Sequence, residues 1–163
     1  MPNEFQFIDY DERVHKFIDN WRSDDIRRFA TEHPLSVEWK YYADTADYRV
    51  GYDVFCKIAV AESGPVAWMI IFCAPAFPIA INPIVVDPCF VSQGLGTRIL
   101  REFIERVDEI LPRRGDRIEV GIDVENIKSR RLLERLGFRR KGVHPDGDFE
   151  YYVKSLAQTP CQS

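Results

Sequence analysis

The sequence has few of the residues that build metal centres or disulfide frameworks. It contains four cysteines and three histidines in 163 residues, and neither set has the paired spacing of a zinc site or a redox motif. His15, His33 and His144 are isolated in sequence, which is typical of surface or hydrogen-bonded histidines. The sequence therefore predicts no metal, and its cysteines are expected to be reduced thiols of a cytoplasmic protein.

Long apolar runs and a basic N-terminal segment are also missing. No apolar run approaches the ~20 residues that a membrane helix needs, and Met1 to Glu4 lack the start of a secretion signal. A net charge of −4 makes nucleic acid a poor partner, because nucleic-acid binding usually needs a basic domain. We therefore expect a cytoplasmic chain that binds neither nucleic acid nor membrane.

The overall composition is that of one globular domain. Hydrophobic residues make up 45% and charged residues 29% of the chain, which is ordinary for a soluble protein. No linker, repeat or low-complexity segment divides it, so one domain is predicted over 1–163, with a disordered tail over 157–163. The sequence leaves the oligomeric state open, including a homodimer.

The charge is distributed unevenly. Residues 1–90 carry 8 basic and 14 acidic side chains, whereas residues 91–141 carry 13 basic and 9 acidic ones. A basic excess over 91–141 suits a polyanionic ligand. Charged residues on exposed helix faces would explain it equally well.

The stretch from Ile84 to Thr97 is the most informative part of the sequence. Its β-branched start reads as a buried strand, which Asp87-Pro88 ends because proline has no amide hydrogen to donate. Gly94 and Gly96 then allow the backbone to approach a ligand closely, just before an amphipathic helix begins. A helix N-terminus beside a glycine loop favours phosphate binding. A tight turn with no ligand is the alternative.

Strands and helices alternate along the rest of the chain. Strands are predicted at 5–8, 52–61, 66–73, 79–86, 117–124, 138–143 and 149–156, and helices at 14–21, 26–30, 97–111 and 127–136. Pro83 lies inside a predicted strand, which indicates an edge, a bulge or a splayed pairing. The aromatic and acidic segment 35–50 is expected to be a loop packed on the sheet, with the lining of a substrate pocket as the alternative.

Two motifs resemble those of one known family. Val86-x-Pro88 followed by Val91 to Gly96 resembles the pyrophosphate-binding segment of the GNAT superfamily of N-acetyltransferases. Asn126 to Phe138 resembles the family's second diagnostic stretch, and the order of elements matches from residue 5 to 156. The resemblance implies an α/β (α+β) fold. Its central sheet would be mixed and mostly antiparallel, with about seven strands, helices on both faces and a splayed central pair of strands.

The resemblance also implies acetyl-CoA as co-substrate. The pyrophosphate would lie over Val91, Ser92, Gln93, Gly94, Leu95, Gly96 and Thr97, although Val91 stands where the family has Gln or Arg. Backbone amides near Ile84, Val85 and Val86 would face the thioester carbonyl. Asn126 would bond the pantetheine arm as well as cap its helix, with Ser129 beside it.

The residues that move protons are harder to place. The Glu and Tyr that many family members use correspond to Ala80 and Leu133. Glu125 is a candidate for relaying a proton from the amine, as are Glu119 and Asp123. Candidates for protonating the departing thiolate are Ser129 and one of the tyrosines at positions 41, 42, 151 and 152.

These motifs predict an N-acetyltransferase that moves an acetyl group from acetyl-CoA to a primary amine by direct attack in a ternary complex. The acceptor would be a small molecule or a peptide or protein amine, and the acidic first half of the chain favours a cationic one. The alternative is a non-catalytic acyl-CoA-binding or sensing module of the same fold.

Overall fold

The structure, a computed structural model, describes residues 4–45, 51–112 and 115–157. Its strands are β1 (Gln6–Asp9), β2 (Asp53–Ala61), β3 (Gly64–Cys73), β4 (Ile79–Val86), β5 (Arg117–Asp123), β6 (Arg139–Val143) and β7 (Phe149–Ser155). Its helices are α1 (Glu12–Ile18), α2 (Asp24–Phe29), α3 (Leu35–Thr45), α4 (Leu95–Glu105), α5 (Val107–Ile110) and α6 (Ile127–Arg135), with a short 3-10 turn at Pro88–Phe90. The strands agree with the predicted ones to within two residues at each end.

The strands form one seven-stranded sheet in the order β1-β2-β3-β4-β5-β7-β6. The pairs are antiparallel except β4 with β5, which run parallel at the centre. The mixed, mostly antiparallel sheet with helices on both faces confirms the predicted fold class.

The central pair of strands separates halfway along its length. β4 and β5 pair at Ile79, Ala80 and Ile81, while β5 continues to Asp123 paired with β7 alone. On the other side of β4, Asn82 and Pro83 both lie opposite Ile70, because Ile81 pairs with Ile71 and Ile84 with Met69. Two residues facing one make a β-bulge, which bends the strand. The predicted effect of Pro83 is confirmed as a bulge with a splayed pairing.

The bulge also exchanges the two faces of β4. Ile79 and Ile81 point into the core beneath α4, α5 and α6, but beyond the bulge Ile84 and Val86 take that position and Val85 points into the core beneath α1, α2 and α3. An inserted residue reverses the alternation of side chains along a strand. Apolar side chains of β4 therefore pack into both cores on either side of the bulge, where Asn82 is exposed.

Two segments differ from the prediction. Residues 35–45 form helix α3 rather than a loop, with Leu35 buried and Tyr42 stacked edge-on against Phe72; the rest of the segment, 46–50, lies outside the described residues. The single helix predicted to Leu111 is broken at Arg106, where the guanidinium bonds the Phe5 carbonyl and Glu102. The predicted disordered tail, apart from Ala157, also lies outside the described residues. Among the helices described, none is both long and apolar enough to cross a membrane.

Candidate functional site

The splay opens a cleft of about 900 Å³ between β4 and β5. The cleft extends from the bulge at Asn82 to the loop after β4, and helices α2, α4 and α6 surround it. A volume of this size lies within the range of small-molecule and cofactor sites, ~300–1,000 Å³. Beyond Ile81, β4 has no strand partner on this side within the described residues. Alternate backbone groups of β4 therefore face the cleft.

The N-terminus of α4 forms one end of this cleft. Gly94 precedes the helix in the left-handed conformation (φ 75°), and no side chain caps the helix. The amides of Leu95, Gly96 and Thr97 lie in the first turn, where a helix offers no backbone acceptor. Ser92 also has a left-handed backbone (φ 71°), a strained geometry that is common at binding loops. This loop therefore presents unpaired donors and the positive end of a helix dipole to the cleft.

Gly96 has a packing role that the sequence did not indicate. A Cβ on Gly96 would lie 3.3 Å from Leu132 Cδ1 and 3.5 Å from Val86 Cγ2. The missing side chain thus lets α4 pack closely on β4 and α6. A Cβ on Gly94 would meet nothing within 4 Å, so the conformation of its backbone is what favours glycine there.

Asn126 and Ser129 lie on the opposite side of the cleft, where β5 leads into α6. The Asn126 side-chain oxygen accepts from the Ser129 amide at 3.1 Å, which confirms its role as the N-cap of α6. Because the cap uses the oxygen, the amide nitrogen is the group that Asn126 can offer to a ligand. Both residues line the cleft.

Most of the predicted binding residues meet at this cleft. Its lining includes Ile84, Val85, Val86, Val91, Ser92, Gly94, Leu95, Gly96, Thr97, Asn126 and Ser129. Gln93 lies outside the lining, and its side-chain amide donates to the Cys89 carbonyl at 3.3 Å. Glu125 also lies outside, with its carboxylate bound to Arg28.

Two ion pairs cross the mouth of the cleft. Arg28 of α2 pairs with Glu125, and Asp25 of α2 accepts from Lys128 of α6 at 2.6 Å. All four side chains are more than half exposed, so each pair adds little to stability, about 0–1 kcal/mol. Their effect is on the electrostatics of the mouth, because each cation has a neutralising carboxylate beside it.

The two positions where the family often has a Glu and a Tyr carry no ionisable group. Leu133 lines the cleft but is 2% exposed and belongs to the core beneath α4. Ala80 packs against the opposite core. Neither position can therefore supply a general acid or a general base.

The tyrosines of β7 face in opposite directions. Tyr152 is buried, and its hydroxyl donates to Glu150, a carboxylate that also pairs with Arg130 and Arg140. Burial, and then the Glu150 carboxylate, raise the pKa of Tyr152. Tyr151 points to the other face of the sheet, where it lies outside the core.

A second, smaller cavity lies on that other face. It has a volume of about 300 Å³ and is lined by Asn82, Gly121, His144, Asp146, Asp148, Phe149 and Tyr151. Asn82 and Gly121 line both this cavity and the cleft. The two spaces therefore adjoin at the splay, where residues of α2 also line the cleft on this face of the sheet.

Sequence reasoning missed His144 as a site residue. It is isolated in sequence, and its neighbours Gly121 and Tyr151 reach it only through the pairing of β5 with β7. The single local signal is the spacing His144-x-Asp146 in the hairpin turn. Within the part of the chain that the structure describes, no group of three or more His, Cys, Asp and Glu residues is arranged to hold a metal ion.

Comparison with protein families gives one match over most of the chain. A model of the acetyltransferase (GNAT) domain matches residues 5–139, a range that includes the glycine loop, the splay and α6. No curated protein sequence matches the chain.

Solved structures with the same fold include several acetyltransferases. A spermidine N-acetyltransferase from Vibrio cholerae, in complex with CoA and spermine, is 14% identical with a TM-score of 0.71, and the match covers 94% of this chain and 96% of that one. An aminoglycoside acetyltransferase, AAC(6')-Ib in complex with coenzyme A, is 18% identical with a TM-score of 0.71, covering 93% and 94% of the two chains. A domain from Methanocaldococcus jannaschii is 17% identical with a TM-score of 0.68, covering 93% and 98%.

Proposed function

The chain belongs to the GNAT acetyltransferase family, and we propose that it transfers an acetyl group from acetyl-CoA to the primary amine of a cationic acceptor. The observation that carries this proposal is the cleft at the splay. It joins a helix N-terminus that lacks a side-chain cap to an open strand edge in one continuous space. Acyl transfer from acetyl-CoA needs an anion site for the pyrophosphate and amide donors for the oxyanion that forms at the thioester carbonyl.

In this proposal the CoA pyrophosphate binds the amides of Leu95, Gly96 and Thr97. Three features support this: the left-handed Gly94, the missing side-chain cap and the dipole of α4. The pantetheine arm runs toward Asn126, whose amide nitrogen donates to it while its oxygen caps α6. Ser129 lies one helical turn further along the same wall.

The thioester lies at the splay, against the unpaired edge of β4. Backbone amides between Ile84 and Val86 hold the oxyanion of the tetrahedral intermediate, because a strand edge without a partner keeps its donors available. Holding the amine and the thioester together supplies a large part of the remaining rate enhancement, on the order of 7–11 kcal/mol in well-oriented systems. The substitution of Val for Gln or Arg at position 91 removes a side-chain donor but no backbone donor.

A cationic acceptor is supported by the charge around the second cavity. Asp146 and Asp148 line it, and no basic side chain other than His144 is among its lining residues in the part of the chain described. Residues 1–90, with a net charge of −6 from 8 basic and 14 acidic side chains, also favour a cationic acceptor. Two solved structures of the same fold are of a spermidine N-acetyltransferase and an aminoglycoside acetyltransferase.

Calorimetry and thiol release test the proposal. The protein is titrated with CoA, NAD and ATP, and then incubated with acetyl-CoA and spermidine, tobramycin, glycine or a lysine-containing peptide while free thiol is measured. We expect binding of CoA alone and amine-dependent thiol release, fastest with the multiply charged amines. CoA binding without thiol release in the presence of any amine would contradict the proposed transfer and favour a non-catalytic acyl-CoA-binding module. A lack of CoA binding would refute the assignment of the cleft.

A further inference from the structure

We propose that His144 is the general base that deprotonates the acceptor amine, with Asp146 as the residue that positions it. This inference rests on the proposed acetyl transfer, for which no general base has yet been assigned. The family's Glu position is Ala80, and no carboxylate occurs between Glu62 and Asp87. The proton must therefore go to a residue outside β4, and His144 lines the cavity that meets the cleft at the splay.

The register of the sheet places His144 on the side from which an acceptor can enter. Gly121 pairs with Tyr151, whereas the neighbouring pair of Val120 and Tyr152 points into the core beneath α4. Since successive side chains of a strand point to opposite faces, Tyr151 and the small cavity lie on the face away from α4 and the glycine loop. CoA would bind at the α4 end of the cleft, and the amine would approach the splay from the small cavity.

The hairpin between β6 and β7 holds the imidazole in this cavity. The His144 amide donates to the Phe149 carbonyl at 2.8 Å, and the Asp148 carbonyl accepts from the Val124 amide at 3.0 Å. The ring also lies 6.4 Å, centroid to centroid, from the ring of Tyr151. The hydrogen bonds fix the backbone of the hairpin, and the His144 side chain is 41% exposed, so a substrate can reach it.

Asp146 contacts only one of the two ring nitrogens. The Asp146 amide N–H donates to His144 Nδ1 at 3.3 Å, and Asp146 Oδ2 lies 3.2 Å from the same nitrogen. The proposal uses the other tautomer, in which Nδ1 carries the proton and donates it to the carboxylate, so that the lone pair on Nε2 is free to accept a proton. When Nε2 becomes protonated, the Asp146 carboxylate stabilises the resulting imidazolium. This is the orienting role that a carboxylate plays beside a catalytic histidine.

Gly121 allows Tyr151 to lie across the splay. A Cβ at position 121 would be 3.3 Å from Tyr151 Cε1, so a larger residue would displace the ring. By the register of β5, β7 and β6, the charged groups on this face of the sheet include Asp123, Glu119 and Arg117 of β5 and Arg139 of β6, and Glu119 is paired with Lys141 at 2.9 Å. Asp148 is the second carboxylate that lines the cavity with His144, where it can attract an ammonium group.

The step balances without a further reactant. The ammonium group of the acceptor gives one proton to His144 Nε2, and the free amine attacks the thioester carbonyl carbon. The C–N bond forms, and the C–S bond breaks with its electron pair leaving on sulfur. The nitrogen loses its second proton to the thiolate, and His144 later releases its proton to water.

The test compares His144→Gln and Asp146→Asn with the unmodified protein, using acetyl-CoA and the best acceptor among the amines named above. His33→Gln is the matched control, because His33 is exposed and lies outside both cavities. We expect His144→Gln to lower kcat/KM by about 10²–10⁴-fold. Asp146→Asn should have a smaller effect, and His33→Gln none.

Two further measurements separate catalysis from folding. CoA affinity of His144→Gln should equal that of the unmodified protein, because His144 lies outside the cofactor cleft. Added imidazole should restore part of the rate in His144→Ala, which a structural role would not predict. A His144→Gln protein that keeps the rate of the unmodified protein overturns the inference. If CoA binds but the unmodified protein acetylates none of the amines, the proposed function fails as well.

Discussion

At the scale of single residues, Asn126 combines two roles that can be separated by substitution. Its oxygen is bound by the Ser129 amide, so the cap depends on an acceptor atom alone. Binding of the pantetheine arm, in contrast, depends on the amide nitrogen. Side chains that keep one property and lose the other therefore distinguish a residue that only caps its helix from one that also binds CoA.

Asn126→Ser keeps a capping oxygen, removes the amide and adds no charge. We expect it to leave the free energy of unfolding almost unchanged and to weaken CoA binding by roughly tenfold, the equivalent of one hydrogen bond of about 1.5 kcal/mol. Asn126→Ala should weaken CoA binding similarly and also cost about 0.5–2 kcal/mol of stability. Urea unfolding and calorimetry measure the two effects, and equal CoA affinity in the Ser variant would limit Asn126 to a capping role.

Cys56 gives a prediction on the pH dependence of stability. The side chain is 2% exposed, and burial, with the nearby Asp9 carboxylate second, raises the pKa of its thiol to about 12. In the unfolded chain the thiol ionises near its ordinary pKa, ~8.5. The stabilisation is therefore complete below about pH 8.5 and is lost as the pH rises toward 12.

Between about pH 9 and pH 10 the unmodified protein should lose ~1.4 kcal/mol more stability than Cys56→Ala, because one group releases one proton on unfolding. Urea unfolding at several pH values measures the difference. Parallel pH dependences in the two proteins would contradict the prediction. Comparing slopes removes any fixed effect of the substitution on packing.

At the scale of elements, the N-terminus of α4 is the part of the site that the sequence predicted best. The strand, the stop at Asp87-Pro88 and the helix start all depend on local residue types, and each was found close to its predicted position. The structural role of Gly96 was missed, since its neighbours Leu132 and Val86 come from other elements. Helix α3 was missed for a related reason: its aromatic side chains are explained by packing on β1 and β3, as for Trp39 against Tyr10, and no capping signal marks its start.

Thr97→Pro tests the amide donors of α4 directly. Proline is tolerated in the first turn of a helix, where the Thr97 amide has no backbone acceptor. Thr97→Ala is the matched control, because it removes the same side chain but keeps the amide. We expect Thr97→Pro to bind CoA about 10- to 100-fold more weakly than Thr97→Ala, as a charge-assisted bond of about 1.5–3 kcal/mol would give. Equal affinities in two folded variants would exclude this amide from phosphate binding.

At the scale of the whole molecule, the ion pairs at the cleft mouth join the two layers of helices. Asp25 and Arg28 belong to α2 on one face of the sheet, while Lys128 and Glu125 belong to the segment around α6 on the other. The carboxylates mask two cations that lie near the path of a polyanionic ligand. The surface charge seen by CoA is therefore smaller than the basic excess over 91–141 indicates.

The double variant Asp25→Asn with Glu125→Gln leaves Arg28 and Lys128 without neutralising partners. We expect it to bind CoA several-fold more tightly at low ionic strength, with the gain disappearing in high salt as the charges are screened over ~10 Å or less. The matched control is Asp116→Asn, whose partner Arg117 starts β5 at the opposite end of the strand from the mouth. Calorimetry at low and high salt measures the CoA affinity of both proteins. A double variant that binds CoA no more tightly than the control at low salt would contradict the electrostatic role of the ion pairs.

The small number of residue pairs joining β4 to β5 has a consequence for the dynamics of the sheet. The sheet has two halves, β1 to β4 and β5, β7 and β6, which pair with each other at Ile79–Ile81 of β4. A ligand that contacts both halves stabilises their association. Its binding free energy then opposes any partial unfolding in which the half formed by β5, β7 and β6 detaches. Amide hydrogens of β6 and β7 should exchange more slowly once CoA is bound, although neither strand lines the cofactor cleft.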